Sequence, residues 1–233
     1  MDVCLIPARS GSKRIKNKNL LSFFDNPIIS YSIKAAIKSK LFDKVLVTTD
    51  SIKIAKISKS FGAEIPFLRH KKLANDHATD NDVIEHFLSF SKKQGLKIRY
   101  LCYLYAANPL LKISTLKKCK KLIIKSKNVK VITIGKYQHP IQLALKKNNL
   151  SGNVYPREKK IKNKRTQDLR IYYHDAAQCY WFDITKIKNI KKIKNLNTST
   201  GAVLLKNNEY LDVDTREDLA NLKNMYKYNL HKL

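Results

Sequence analysis

Apolar positions recur in two rhythms along the first 135 residues. Residues 3–6, 44–48, 99–105 and 129–134 are short apolar runs that predict buried strands. Between them, residues 28–38, 51–61, 82–93 and 115–125 space their apolar side chains three and four apart, as on one helix face. The boundaries carry their own signals. Pro27 sits at a first-turn position, Gly62 and Gly95 close the second and third helices, and Ser114 can cap the fourth. Short buried strands separated by helices predict an α/β fold with a largely parallel, doubly wound sheet.

Residues 136–183 break this rhythm. They hold a strand-like run at 141–145, a turn at 148–152, a basic stretch and an aromatic strand at 178–182. The segment reads as a β-rich excursion, a dimerisation or lid element within a single domain spanning 1–233. A basic, low-complexity connector at 186–195 leads to strands at 202–205 and 210–213. A terminal helix follows from Arg216, with Thr215 and Asp218 at capping-box spacing.

The charge at first suggests another partner. The chain of 233 residues carries 47 Lys+Arg against 18 Asp+Glu, a net charge of +29, which points to nucleic acid or an anionic membrane. Only eight of the basic residues are Arg, whereas readers of nucleic acid use the planar guanidinium fork heavily. The lysines are instead interleaved with Ile and Asn over the whole chain, as on a solvated surface. No helix-turn-helix, RNP-like or zinc signature accompanies them, and no run approaches the roughly 20 apolar residues of a membrane span. Neither nucleic acid nor membrane is therefore an expected partner. Four cysteines (4, 102, 119, 179) without paired spacing predict a reduced, cytoplasmic protein.

Two segments carry chemistry. The run Pro7-Ala8-Arg9-Ser10-Gly11-Ser12-Lys13-Arg14, followed by Lys18-Asn19, leaves the carboxyl end of the first strand, where α/β sheets bind ligands. Its small residues let the backbone approach a phosphate chain, and Arg9, Lys13, Arg14 and Lys18 supply counter-charge. The pattern is not a Walker A loop. The second segment is Leu211-Asp212-Val213-Asp214-Thr215, where strand alternation points both carboxylates to one face. Paired carboxylates suit a hard Mg²⁺ shared with substrate phosphates. Capping of the last helix by Asp214 or Thr215 is the competing reading.

The run from Leu5 to Asn19 resembles the signature loop of the acylneuraminate cytidylyltransferases. Further blocks agree in order: Leu41-Phe42-Asp43, Thr48-Thr49-Asp50, Gly62-Ala63-Glu64, Phe67-Leu68-Arg69 and Leu73-Ala74-Asn75-Asp76. Within that family, Pro140-Ile141-Gln142, Arg165-Thr166-Gln167-Asp168-Leu169 and the block from Tyr173 to Trp181 resemble the pseudaminic acid cytidylyltransferases. Two positions depart from the pattern: Ala177 stands where the family commonly has Gly, and Ala106-Ala107-Asn108-Pro109-Leu110 replaces Pro-Thr-x-Pro-Leu. The resemblance implies a Rossmann-like nucleotidyltransferase fold, with a mostly parallel mixed sheet flanked by helices, and a homodimer. It implies transfer of CMP from CTP to a nonulosonic acid. It further implies nucleotide contacts from Ala8, Arg9, Ser12, Lys13, Lys18, Asn19 and Arg69, the last at the cytosine edge or an adjacent phosphate. Arg9, Lys13 and Asp214 would serve the reaction directly, with Mg²⁺ on Asp212 and Asp214. Tyr105, Gln142, Arg165, Gln167, His174, Asp175 and Gln178 are the candidates for the sugar acid. His174 beside Asp175 is either a base dyad or a hydrogen-bonded structural pair.

Overall fold

A computed structural model of the chain describes residues 1–157, 165–187 and 199–230. Six strands form the central sheet in the order β10-β6-β9-β5-β1-β4. These are β1 (Asp2–Pro7), β4 (Lys44–Thr48), β5 (Tyr100–Leu104), β6 (Lys130–Lys136), β9 (Tyr173–Asp183) and β10 (Thr200–Leu204). β1 pairs in parallel with β4 and β5, and β6 with β10. β9 runs antiparallel between β5 and β6. This is the mixed, mostly parallel sheet expected of the fold.

Both faces of β1 are buried, as its uninterrupted apolar run requires. Cys4 and Ile6 face one core, shared with α1 (Ile29–Ser39), α2 (Ile52–Ser60) and α4 (Ile113–Lys125); Val3 and Leu5 face the other, under α3 (Asp80–Lys93). A third cluster packs α5 (Arg216–Leu230) through Leu222 onto Phe23 and Ile28, beside a small ribbon of β2 (Ser22–Phe23) and β3 (Asn26–Pro27). Among the described residues no helix is long and apolar enough to cross a membrane. All four cysteines are buried and free.

Local chemistry sets most element ends. The Ser51 hydroxyl accepts the Ile54 N–H at 3.3 Å, and Gly62 takes φ 91° beyond the end of α2. Thr79 and Asp82 form a full capping box before α3, and Thr215 and Asp218 form one before α5.

Some expectations are corrected. Ser114 is not a cap: α4 starts at Ile113 after Lys112, with no side chain bonded to its first turn. Pro27 lies in β3, outside α1. The run at 141–145 begins as a 3₁₀ turn, Ile141–Leu143, because the Gln142 amide donates to the Arg170 carbonyl at 2.7 Å and folds the segment back. A short hairpin follows, of β7 (Leu145–Lys147) and β8 (Val154–Pro156), closed through Gly152 at φ 72°. Residues 210–213 form no strand and have no ladder partner among the described residues. Of the excursion at 136–183, Tyr173–Asp183 are the sheet strand β9, so the chain leaves and re-enters the sheet between β6 and β5. The connector at 186–195 falls outside the described residues beyond Ile187.

Candidate active site

The loops after β1 and β5 meet the 211–214 segment around a cleft of about 680 Å³ at the carboxyl ends of the strands. Its walls include Arg9, Ser12, Lys13, Lys18, Asn19, Arg69, Tyr105, Asp212 and Asp214. Nine of the residues singled out from the sequence thus share one space.

The basic loop is held from behind. Asp50, after β4, accepts the Ser10 backbone N–H at 2.8 Å and the Ser10 hydroxyl at 2.5 Å. The buried Asn19 amide donates to the Arg9 carbonyl at 3.0 Å, closing the loop on itself. Ala8 is fully buried and prolongs β1, its N–H bonded to the Thr48 carbonyl, so it supports the loop without lining the cleft.

Protein carboxylates face each cation. Arg9 and Lys13 both reach Asp76, at 2.8 and 2.5 Å, and these two hydrogen bonds, Lys13 first, hold the Asp76 carboxyl below its ordinary range. Arg14 pairs with Asp214. Lys18 donates to the Val213 carbonyl at 2.7 Å and stands 3.8 Å from Asp214. These pairs are open to solvent and therefore weakly held, so an incoming phosphate chain can displace them.

Residues 211–214 form no ladder, and all four line the cleft, with Val213 buried among them. Asp212 makes no ion pair among the described residues. No group of three or more His, Cys, Asp or Glu there is arranged to hold a metal. Two hard carboxylates facing a phosphate-sized space nevertheless fit Mg²⁺, which keeps waters and takes phosphate oxygens alongside one or two carboxylates.

The remaining sugar candidates lie elsewhere. Gln178 is buried, its amide donating to the Glu209 backbone carbonyl at 2.5 Å and the Asn108 side-chain amide oxygen at 3.3 Å. Gln142 holds its own turn, as described above. Arg165 closes its fork on Asp168 at 2.8 and 3.2 Å, and Gln167 is exposed in the same turn. His174 and Asp175 form no side-chain dyad. The imidazole lies 3.1 Å from the Tyr210 hydroxyl, whereas the Asp175 carboxylate accepts the Tyr180 hydroxyl at 2.7 Å and the Ala177 N–H at 2.9 Å. That last bond steadies Ala177 on the cleft wall in the left-handed region, φ 48°. An L-residue there costs about 1–2 kcal/mol that glycine would not.

Sequence reasoning missed Asp76 and Asp80 as cleft residues. Asp80 accepts the Tyr103 hydroxyl at 2.7 Å and the Tyr105 hydroxyl. Burial first, then the Asp80 charge, pushes the Tyr105 phenol far above its ordinary value, which keeps it a donor.

The cytidylyltransferase family model matches residues 3–218. The chain belongs to the cytidylyltransferase family. Its enzymes are nucleotidyltransferases. A pseudaminic acid cytidylyltransferase of Campylobacter jejuni is 33% identical over 228 residues, 98% of this chain and 97% of the relative. A CMP-N,N'-diacetyllegionaminic acid synthase of Legionella pneumophila is 27% identical over 99% of this cytidylyltransferase and 98% of its own length. Among solved structures, a CMP:2-keto-3-deoxy-manno-octonic acid synthetase complexed with CTP matches the fold with a TM-score of 0.70 at 15% identity, covering 98% of this chain and 100% of that one.

Proposed function

We propose that this cytidylyltransferase activates a nonulosonic acid, pseudaminic acid in the first instance, by the reaction CTP + acid → CMP-acid + pyrophosphate. The observation that carries this reading is the facing of a four-cation loop and the Asp212–Asp214 pair across one cleft. The similarity to the Campylobacter enzyme supports the choice of acid.

The anomeric hydroxyl attacks the α-phosphorus in line. The bond from that phosphorus to the bridging oxygen of pyrophosphate breaks, and the hydroxyl proton is lost to solvent or a neighbouring base. Both reactants are anions, so the barrier falls mainly through positioning and charge neutralisation. Arg9, Lys13 and Lys18 exchange Asp76 and Asp214 for the triphosphate, Ser12 donates to it, and Asn19 keeps the loop shaped around the α-phosphate or ribose. Asp212 and Asp214 hold Mg²⁺, which supplies further charge neutralisation on the phosphates when bound. Tyr105, its O–H donated to Asp80, offers the sugar acid its ring and an accepting phenol oxygen. A guanidinium such as Arg165 matches a substrate carboxylate bidentately, provided Asp168 releases it. Four buried free thiols accord with a reducing, cytoplasmic setting.

The excursion exposes Leu143, Leu145, Val154, Tyr155 and Ile171 around the β7–β8 hairpin. We read it as the face that buries against a second copy in a homodimer. The double variant Leu145→Asp/Tyr155→Asp is expected to sediment as a monomer at a concentration where the parent is a dimer. A parent that is itself monomeric removes this reading.

The reaction is tested by pyrophosphate release from CTP and Mg²⁺ with a panel of acids. The expected order of kcat/KM places pseudaminic acid above N-acetylneuraminic and legionaminic acids. A reversed order changes the acid, and no release with any of them overturns the reaction.

A further inference from the structure

Tyr210 stands two residues before Asp212, and the roles assigned so far do not use it. Its hydroxyl lies 3.1 Å from His174 Nε2 on β9. The other ring nitrogen, Nδ1, lies 2.9 Å from the Asp175 backbone carbonyl, which can only accept. In the neutral imidazole Nδ1 therefore carries the proton, and Nε2 accepts the Tyr210 O–H. The two rings pack with centroids 5.4 Å apart, and Tyr137 lies 5.0 Å from the same imidazole.

Gly135 makes this approach possible. It is buried in β6 and pairs with His174 across the β6–β9 ladder. A Cβ at position 135 would overlap the Tyr210 hydroxyl and lie 2.9 Å from His174 Nε2. Any side chain there would drive the tyrosine off the sheet. Glycine weakens a strand interior, so its presence marks a close approach.

The chain on either side is fastened as well. Gln178 on β9 donates to the Glu209 carbonyl at 2.5 Å, and the Glu209 carboxylate pairs with Lys112 at 2.9 Å. Downstream, the Val213 carbonyl accepts from Lys18, and the Asp214 N–H donates to Asp218. Asp212 and Asp214 are thus strung between supports from β9 and supports from the basic loop and α5. No ladder among the described residues sets the register of this segment, so side-chain attachments place it.

We propose that Tyr210, held by His174 and seated on Gly135, is a positioning residue for the Asp212–Asp214 pair. His174 then acts through Tyr210 on metal binding and does not touch the sugar acid. The proposal rests on the CTP and Mg²⁺ reading above and adds the device that aims the two carboxylates. A group bonded directly to a metal ligand is worth about 10–100-fold in metal affinity. Tyr210 acts through the intervening backbone, so loss of its hydroxyl is expected to cost less, about 3–10-fold.

The test uses Mn²⁺ in place of Mg²⁺, with binding read from water-proton relaxation in enzyme–CTP–Mn²⁺ mixtures against CTP–Mn²⁺ alone. Tyr210→Phe and His174→Ala are each expected to weaken Mn²⁺ binding by about 3–10-fold. The double variant should be no weaker, since both changes remove one contact. His174→Gln, whose amide oxygen can accept the Tyr210 hydroxyl, should recover the larger part of the loss. Gly135→Ala should cost at least as much as Tyr210→Phe. Should it fail to fold, Tyr210→Phe, which removes a single oxygen, carries the readout. At saturating Mg²⁺, KM for the sugar acid should stay within about twofold of the parent in every folded variant. A merely structural role would lower the melting temperature and leave Mn²⁺ affinity unmoved, which overturns the proposal. A raised KM for the sugar acid with unmoved Mn²⁺ affinity also overturns it, by placing His174 on the substrate. A parent that binds no Mn²⁺ beside CTP overturns the metal reading and this proposal with it. Equal binding by the parent and all variants overturns the Tyr210 assignment alone.

Discussion

Asp214→Asn is expected to lower CTP-dependent pyrophosphate release by about 100-fold or more, while the variant folds as the parent does. The size follows from the chemistry. Charge stabilisation at a transferring phosphoryl group is worth several kcal/mol, and about 2.7 kcal/mol already corresponds to a factor of 100. The persistence of the fold follows from the structure. The Asp214 side chain is 41% exposed, and its ion pairs among the described residues are with Arg14 and, at 3.8 Å, Lys18. Surface pairs of this kind contribute about 0–1 kcal/mol each. The backbone N–H of Asp214, bonded to the Asp218 carboxylate at 3.0 Å, is unaffected by the substitution. Pyrophosphate release and thermal unfolding followed by circular dichroism, measured on the same preparation, separate the two effects. Near-normal turnover removes Asp214 from the reacting centre, and a collapsed melting curve removes the claim that its role is confined to chemistry.

The sequence made the local features of this fold legible and left the distant ones hidden. Capping by Thr215 and the turn at Gly62 depend on neighbours within a few residues, and both form as their residue types require. The insertion of β9 between β5 and β6 depends on pairing residues some fifty to eighty positions apart, as in Val131 with Trp181 and Cys102 with Trp181. No local pattern encodes that choice. Residues 210–213 show the limit from the other side. Alternation predicted a strand, but a ladder needs a partner strand, and among the described residues none pairs with this segment. The useful consequence survives, because Asp212 and Asp214 both line the cleft all the same.

The candidate site divides along the same line. The loop cations and both aspartates were visible because each motif is contiguous. Asp76 and Asp80 were not, since an acid beside a helix start reads first as a cap or turn residue. For adjacent His174 and Asp175 the sequence left a dyad and a structural pair both open, and neighbours on a strand point to opposite faces. The structure gives each a different tyrosine, Tyr210 and Tyr180.

The insertion of β9 also locates the largest stability effect. Trp181→Ala is expected to destabilise the fold by about 3–5 kcal/mol, the range for emptying a buried aromatic site. Trp181 is fully buried at the centre of the sheet, flanked by Cys102 on β5 and Val131 on β6. Its ring stacks on Phe42 with centroids 5.2 Å apart and planes inclined by 22°. The strands on either side cannot close over the void without breaking ladders on both edges of β9. Trp181→Phe keeps the stacking partner and most of the volume, so it should recover the larger part of the loss. Trp181 is the chain's one tryptophan, so unfolding in urea must be followed by far-UV circular dichroism rather than intrinsic indole emission. The same strand carries Ala177 on the cleft wall and hydrogen-bonds to Tyr105 through the Gln178 carbonyl at 3.1 Å. Conditions that hold Trp181→Ala folded should therefore still show a raised KM for the sugar acid. An alanine variant within about 1 kcal/mol of the parent would mean that β9 is not anchored where the sheet order places it.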